Sequence, residues 1–130
     1  MSAPVLSTAD LLRIAAERSG GEQRCPSCGG LHCPGWEAIP GGFDAGGLKQ
    51  VGTLRDPEVH EPTVEEYHPA GTRTWDADAP IAPAFHPYNQ SDVLQCAHCH
   101  RAFLRWTEYG GYYQEARIRE INPELVVQAL

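Results

Sequence analysis

Near the start of the chain, apolar residues recur at helical spacing: Leu11, Leu12, Ile14, Ala15 and Ala16 form one stripe of TADLLRIAAERSG. Ser7 stands just before the stripe and Asp10 three positions on, the arrangement of a capping box. Gly20 and Gly21 end the pattern, so the sequence predicts a helix over about residues 8–19, docked on the rest of the chain through its leucines.

The clearest strand pattern lies in DVLQCAHCHRAFLRWTEYGGYYQEARIREI, residues 92–121, where aromatic and β-branched residues flank Gly110–Gly111. A two-residue turn there would set Trp106 against Glu115 and Leu104 against Arg117, mixing apolar and charged groups on one face. A three-residue loop, Tyr109-Gly110-Gly111, instead puts Ala102, Leu104 and Trp106 on one face with Tyr112, Ala116 and Ile118. The cleaner apolar face selects the three-residue loop, with Arg105 opposite Glu115 and Gly111 in the left-handed position of a bulge. Val93 and Leu94 predict a third strand leading into the hairpin. Asn122 and Pro123 have the residue types of a cap and a first helical position, which predicts a short terminal helix.

Between these two patterns, residues 34–87 carry eight prolines and seven glycines and show little sustained periodicity. Trp36, Phe43, Leu48, Val51, Leu54, Tyr67, Trp75, Ile81 and Phe85 recur through the segment, and disordered chains are poor in such residues. The expectation is a long irregular insert pinned by aromatic anchors, with a short strand in LKQVGTL and a helical turn beginning at Thr63. In GGFDAGG, which lacks the lysine of a phosphate loop, a turn anchored by Phe43 is expected.

Composition narrows the function classes. The chain has 130 residues, about one domain's length, with 42% hydrophobic residues. Its formal charge is −7, and residues 34–87 alone hold nine acidic and three basic residues. Such a surface is poor for phosphate backbones, which need clustered Lys and Arg. It either keeps the molecule soluble or meets a basic protein. No apolar run is long enough to span a bilayer, and the first residues lack a basic leader, so a cytoplasmic location is expected.

The five cysteines change the picture most. CPSCGGLHC, Cys25 to Cys33, and CAHCH, Cys96 to His100, each contain a CxxC pair. Four soft thiolates suit tetrahedral zinc, and two pairs are a stronger signal than one, because redox dithiols use a single pair. Two unliganded reduced pairs and a redox dithiol are the weaker alternatives. The sequence here resembles zinc ribbons and zinc-knuckle proteins, and CPSCG also resembles a knuckle of rubredoxin, an iron–sulfur electron carrier. The resemblance covers the knuckles and the hairpin. It implies ligand roles for Cys25, Cys28, Cys96 and Cys99, with structural zinc as the metal and iron as a substitute. CAHCH carries His100 where such knuckles commonly carry glycine. Cys33 reads as a small buried hydrophobe. His32, His98 and His100 read as surface groups, with neighbouring or substitute ligands as the alternative. Four sulfurs leave no open position for substrate, which makes the metal structural.

The expected fold is small α+β. An N-terminal helix accompanies an antiparallel β-hairpin or three-stranded sheet, a zinc-knuckle site at 25–33 and 92–121, and the irregular insert. All of these are expected in a single zinc-binding domain over residues 1–130. The expected function is a protein-interaction module, an adaptor or an inhibitor of the immunity-protein type, binding a basic protein. Glu61, Glu65, Glu66, Tyr109 and Tyr113 are its candidate partner-binding residues. Three alternatives compete with it. A metal-dependent enzyme would use His60, His68 and Glu61 or Glu65 of EVHEPTVEEYH, although no HExxH helix is present. An electron carrier would use the four cysteines. A single-stranded nucleic-acid binder would stack bases on the aromatics near Arg105.

Overall fold

In the computed structural model, which describes residues 3–17 and 25–128, Ser7 caps the helix α1, Thr8–Ala15. The capping box is complete: the Asp10 N–H donates to Ser7 Oγ at 3.1 Å, and the Ser7 N–H donates to Asp10 Oδ2 at 2.9 Å. Two of the four orphan donors of the first turn are thereby satisfied. Leu11, Ile14 and Ala15 are buried. The helix is shorter than the sequence predicts: it stops at Ala15 with Ala16 as its cap, the Ala16 N–H donating to Leu12 O and the Glu17 N–H to Ile14 O, both at 3.1 Å. Residues 18–24, with the predicted glycine stop, lie outside the described residues.

Five strands follow: β1 (Glu37–Ala38), β2 (Leu48–Thr53), β3 (Asp92–Cys96), β4 (Ala102–Tyr109) and β5 (Gln114–Glu120). They form one antiparallel sheet in the order β1-β5-β4-β3-β2. The predicted three-stranded core is its centre, and the insert supplies both edge strands. Of these, β2 matches the strand expected in LKQVGTL, whereas the two-residue β1 carries no periodic signal. The N-terminal segment straps the outer edge of β2, with Leu6 N–H donating to Thr53 O at 2.9 Å and Thr53 N–H to Pro4 O at 2.9 Å. Gly52 permits this approach, because a Cβ there would lie 2.4 Å from Leu6 Cγ.

The hairpin departs from the expected register. Tyr109 pairs with Gln114, so the loop is Gly110–Tyr113, closed by Gly110 N–H donating to Tyr113 O at 2.9 Å. Leu104 lies opposite Arg119 and Trp106 opposite Arg117, while Ile118 faces Arg105 and Ala116 faces Thr107. Ala116 and Ile118 are therefore on the face opposite to the expected one, and Tyr112, expected in the core, is fully exposed. Gly111 is not left-handed; among the described glycines only Gly42 and Gly71 have positive φ. Thr63 begins no helical turn: residues 62–68 carry no regular secondary structure. The terminal helix is a single 3-10 turn, Pro123–Leu125, capped by Asn122, whose side chain accepts from the Glu124 N–H.

The mixed face that the sequence argues against is formed because the insert solvates its arginine. Arg119 is fully buried, yet its guanidinium donates to Pro34 O (3.1 Å), Ala77 O (3.3 Å), Ala79 O (2.7 Å) and the Tyr88 hydroxyl. A buried cation is tolerated when its donors are satisfied. Around it, Leu11, Ile14, Trp36, Leu54, Ile81, Tyr88, Val93, Leu104 and Ile121 make one apolar cluster. The opposite face is also buried: Leu94, Phe103 and Ile118 pack with Cys28, Leu31, Cys33 and Cys96. The sheet is thus covered on both sides, by α1 and the insert on one and by the cysteine segments on the other.

Candidate metal centre

The second CxxC pair occupies the turn between β3 and β4, where the chain must reverse within a few residues. Cys96 N–H donates to Arg101 O at 2.9 Å and His100 N–H to Cys96 O at 3.0 Å, closing the turn. His100 stands at φ 64°, the left-handed region, in the position where knuckles commonly carry glycine. The first pair turns in the same way, with Gly29 N–H donating to Cys25 O at 2.7 Å and Leu31 N–H to Cys28 O at 2.9 Å. Gly47 lets the first turn settle against the start of β2, since a Cβ there would lie 2.8 Å from Ser27 Cβ. Ala97 N–H donates to Gly47 O at 2.9 Å and ties the second turn to the same place.

The two turns bring Cys25, Cys28, Cys96 and Cys99 together, with all four Sγ atoms within 4.8 Å of one another. Cys25 Sγ lies 3.7 Å from Cys96 Sγ, and Cys28 Sγ lies 3.4 Å from Cys99 Sγ. These separations exclude disulfides, whose sulfurs lie about 2.05 Å apart. They fit a tetrahedron: metal–sulfur bonds of about 2.3 Å imply sulfur–sulfur edges of about 3.8 Å. Among the described residues, this is the one grouping of His, Cys, Asp and Glu side chains close enough to share an ion. The four cysteines are capable of coordinating a metal ion, in a site whose Cys28 and Cys96 are fully buried.

Backbone dipoles aim at the sulfurs. N–H groups of Cys28 and Ser27 hydrogen-bond Cys25 and hold its thiol down at about 6. The His98 N–H donates to Cys96 Sγ at 3.4 Å. Burial pushes the Cys28 and Cys99 thiols up. Four adjacent thiols cannot all ionise alone, and a bound cation supplies the charge that lets them do so. Arg101, two residues beyond Cys99, stands beside the cluster. Burial opposes its charge, but the Glu120 carboxylate and Cys28 sulfur outweigh this and hold its pKa above the ordinary arginine value. Sequence reasoning missed this residue, whose partners Cys28 and Leu31 lie 73 and 70 positions away.

Cys33 is buried in the apolar cluster beside the site and is not one of the four converging cysteines. Burial raises its thiol to about 11, which suits an inert hydrophobe. His32, His98 and His100 are exposed. The acidic–histidine segment does not assemble into a second metal site: His60, Glu61 and Glu65 are exposed. His68 instead holds a local structure, with Nδ1 2.8 Å from Thr72 Oγ1 and Nε2 2.8 Å from Glu66 Oε1. Thr74 Oγ1 donates to the same carboxylate oxygen. Tyr109, Tyr112 and Tyr113 are exposed at the hairpin tip. Arg105 bonds Asp92 at 3.3 Å, on the sheet face opposite to Trp106.

Set against known protein families, curated proteins and solved structures, the chain matches none of them.

Proposed function

We propose that the chain is a single zinc-stabilised domain over residues 1–130 that acts by binding another protein. The thiolates of Cys25, Cys28, Cys96 and Cys99 hold structural Zn2+, which iron can replace, and they leave no coordination position for a substrate. Reduced thiols of this kind fit the cytoplasm; no described helix is long and apolar enough to cross a membrane.

The observation that carries the binding role is the hairpin tip. Tyr109, Tyr112 and Tyr113 are 74%, 105% and 56% exposed, three aromatic groups on one hairpin tip that the core does not use. Tyrosines combine contact area with a polar end and recur as interface anchors. Glu61, Glu65 and Glu66 add exposed negative charge, which favours a basic partner and is compatible with an adaptor or an immunity-type inhibitor. Single-stranded nucleic acid is disfavoured by the acidic balance.

Co-purification from the native cell at low and moderate salt tests this reading. A specifically retained protein should be weakened by Tyr109→Ala with Tyr113→Ala, and its salt dependence reduced by changing Glu61, Glu65 and Glu66 to Gln. Repeated failure to retain any protein, alongside tight nucleic-acid binding, would reverse it.

A further inference from the structure

We infer that Arg101 is the positioning residue of the metal centre: its guanidinium fork locks the first cysteine turn onto the second and sets how fast the metal leaves. The inference rests on the reading that the four thiolates hold a metal.

The fork has four acceptors and three of them lie on the first turn. Nη1 donates to Cys28 O at 3.1 Å and to Cys28 Sγ at 3.5 Å. Nη2 donates to Leu31 O at 3.1 Å and to Glu120 Oε1 at 2.7 Å. Arg101 lies immediately after the second turn, so its bonds to the first turn span 70 to 73 positions of sequence. The side chain is only 13% exposed, and its Cζ sits 4.8 Å from the Phe103 ring centroid. The Phe103 ring lies beneath the fork and the Glu120 carboxylate beside it.

Four thiolates around a divalent cation carry two net negative charges in a largely buried place. A cationic N–H donor on sulfur stabilises that charge and makes the thiolate a poorer target for protons and oxidants. The carbonyl contacts do a second task, because they hold the Cys28 turn in place while metal bonds break and re-form. Lysine offers one point charge and cannot reach two carbonyls, a sulfur and a carboxylate from fixed directions. An ordinary ion pair with Glu120 would need none of the three contacts to the first turn. The pair and the positioning role therefore predict different variants to matter.

The test uses the zinc-loaded full chain, with zinc transfer to excess chromophoric chelator as the rate and the thiolate-to-metal charge-transfer band of the cobalt-substituted protein as the spectroscopic signature. Arg101→Met should release zinc about 10–100-fold faster and shift the cobalt band, the range typical of groups that orient metal ligands. Arg101→Lys should be intermediate, about tenfold faster, with a shifted band. Glu120→Gln, which keeps the fork on the first turn, should stay within about threefold of the wild type with the band unmoved. If Arg101→Met does not fold, Arg101→Lys decides alone, and a wild-type rate and band in it overturn the inference. Equal acceleration by Glu120→Gln and Arg101→Lys would also overturn it, by assigning the effect to the ion pair. A wild-type chain that takes up neither zinc nor cobalt would instead remove the underlying metal reading.

Discussion

Arg119 makes the largest single demand on the interior. Four of its five N–H groups end on three carbonyls of the insert and on the hydroxyl of Tyr88 just beyond it, so the insert is built around it. Arg119→Met fills similar volume but leaves those acceptors unpaired. Each buried unsatisfied group costs about 1–3 kcal/mol, so a loss of about 3–5 kcal/mol in denaturant unfolding is expected. A loss below about 1 kcal/mol would mean that water reaches the cage. His86 gives a second residue-level expectation. Its ring stands edge-on to Trp106, with centroids 5.1 Å apart, and burial lowers its pKa below 6.5, with Glu66 opposing. The unfolded chain takes up the proton first, so this contribution is intact above 6.5 and is lost as pH falls towards the folded value. With saturating zinc, the stability difference between wild type and His86→Phe should shift against the wild type between pH 7.5 and 5.5. A pH-independent difference would contradict the assignment.

At the scale of elements, what the sequence revealed depended on how many faces of an element are buried. The amphipathic helix has one buried face, and its capping box and apolar stripe were legible. The strands β3 and β4 were also legible, as was the short β2. The hairpin register was not, because choosing the cleaner apolar face assumes that only one face is covered. Here Phe103 and Ile118 fill one side while Leu104 lies beside Arg119 on the other. The carbonyl cage that makes Arg119 acceptable comes from an irregular segment with no periodic signal. The convergence of the cysteines was readable because CxxC spacing is set by local turn geometry; Arg101 was not, because its partners are distant in sequence. The turn itself yields a prediction. His100 at φ 64° bears a left-handed cost that glycine avoids, about 1–2 kcal/mol, partly offset by glycine's extra unfolded-state entropy. His100→Gly should therefore leave thermal stability unchanged or raise it by up to about 1 kcal/mol. A clear loss, accompanied by loss of metal, would give His100 a role at the site.

Across the whole molecule, the cysteine cluster brings together two parts of the chain that are about seventy positions apart. The first turn lies between α1 and β1, and the second lies inside the central sheet. Closing them buries Leu31, Cys33, Leu94, Phe103 and Ile118 on one side of the sheet. Structural zinc sites contribute apparent free energies of about 10–16 kcal/mol at neutral pH, whereas whole domains are stable by only about 5–15 kcal/mol. If the four thiolates hold a metal, losing it removes most or all of the net stability. The most direct measurement is therefore cooperative unfolding of the full chain, with metal content and free thiols determined on the same sample, before and after chelation. About one zinc per chain is expected, with cooperative unfolding and four protected thiols before chelation. After chelation the cooperative transition should be lost, the four thiols should become reactive, and added zinc should restore both. An unchanged transition in metal-free protein, with Cys25, Cys28, Cys96 and Cys99 freely titratable in the folded state, would contradict the account.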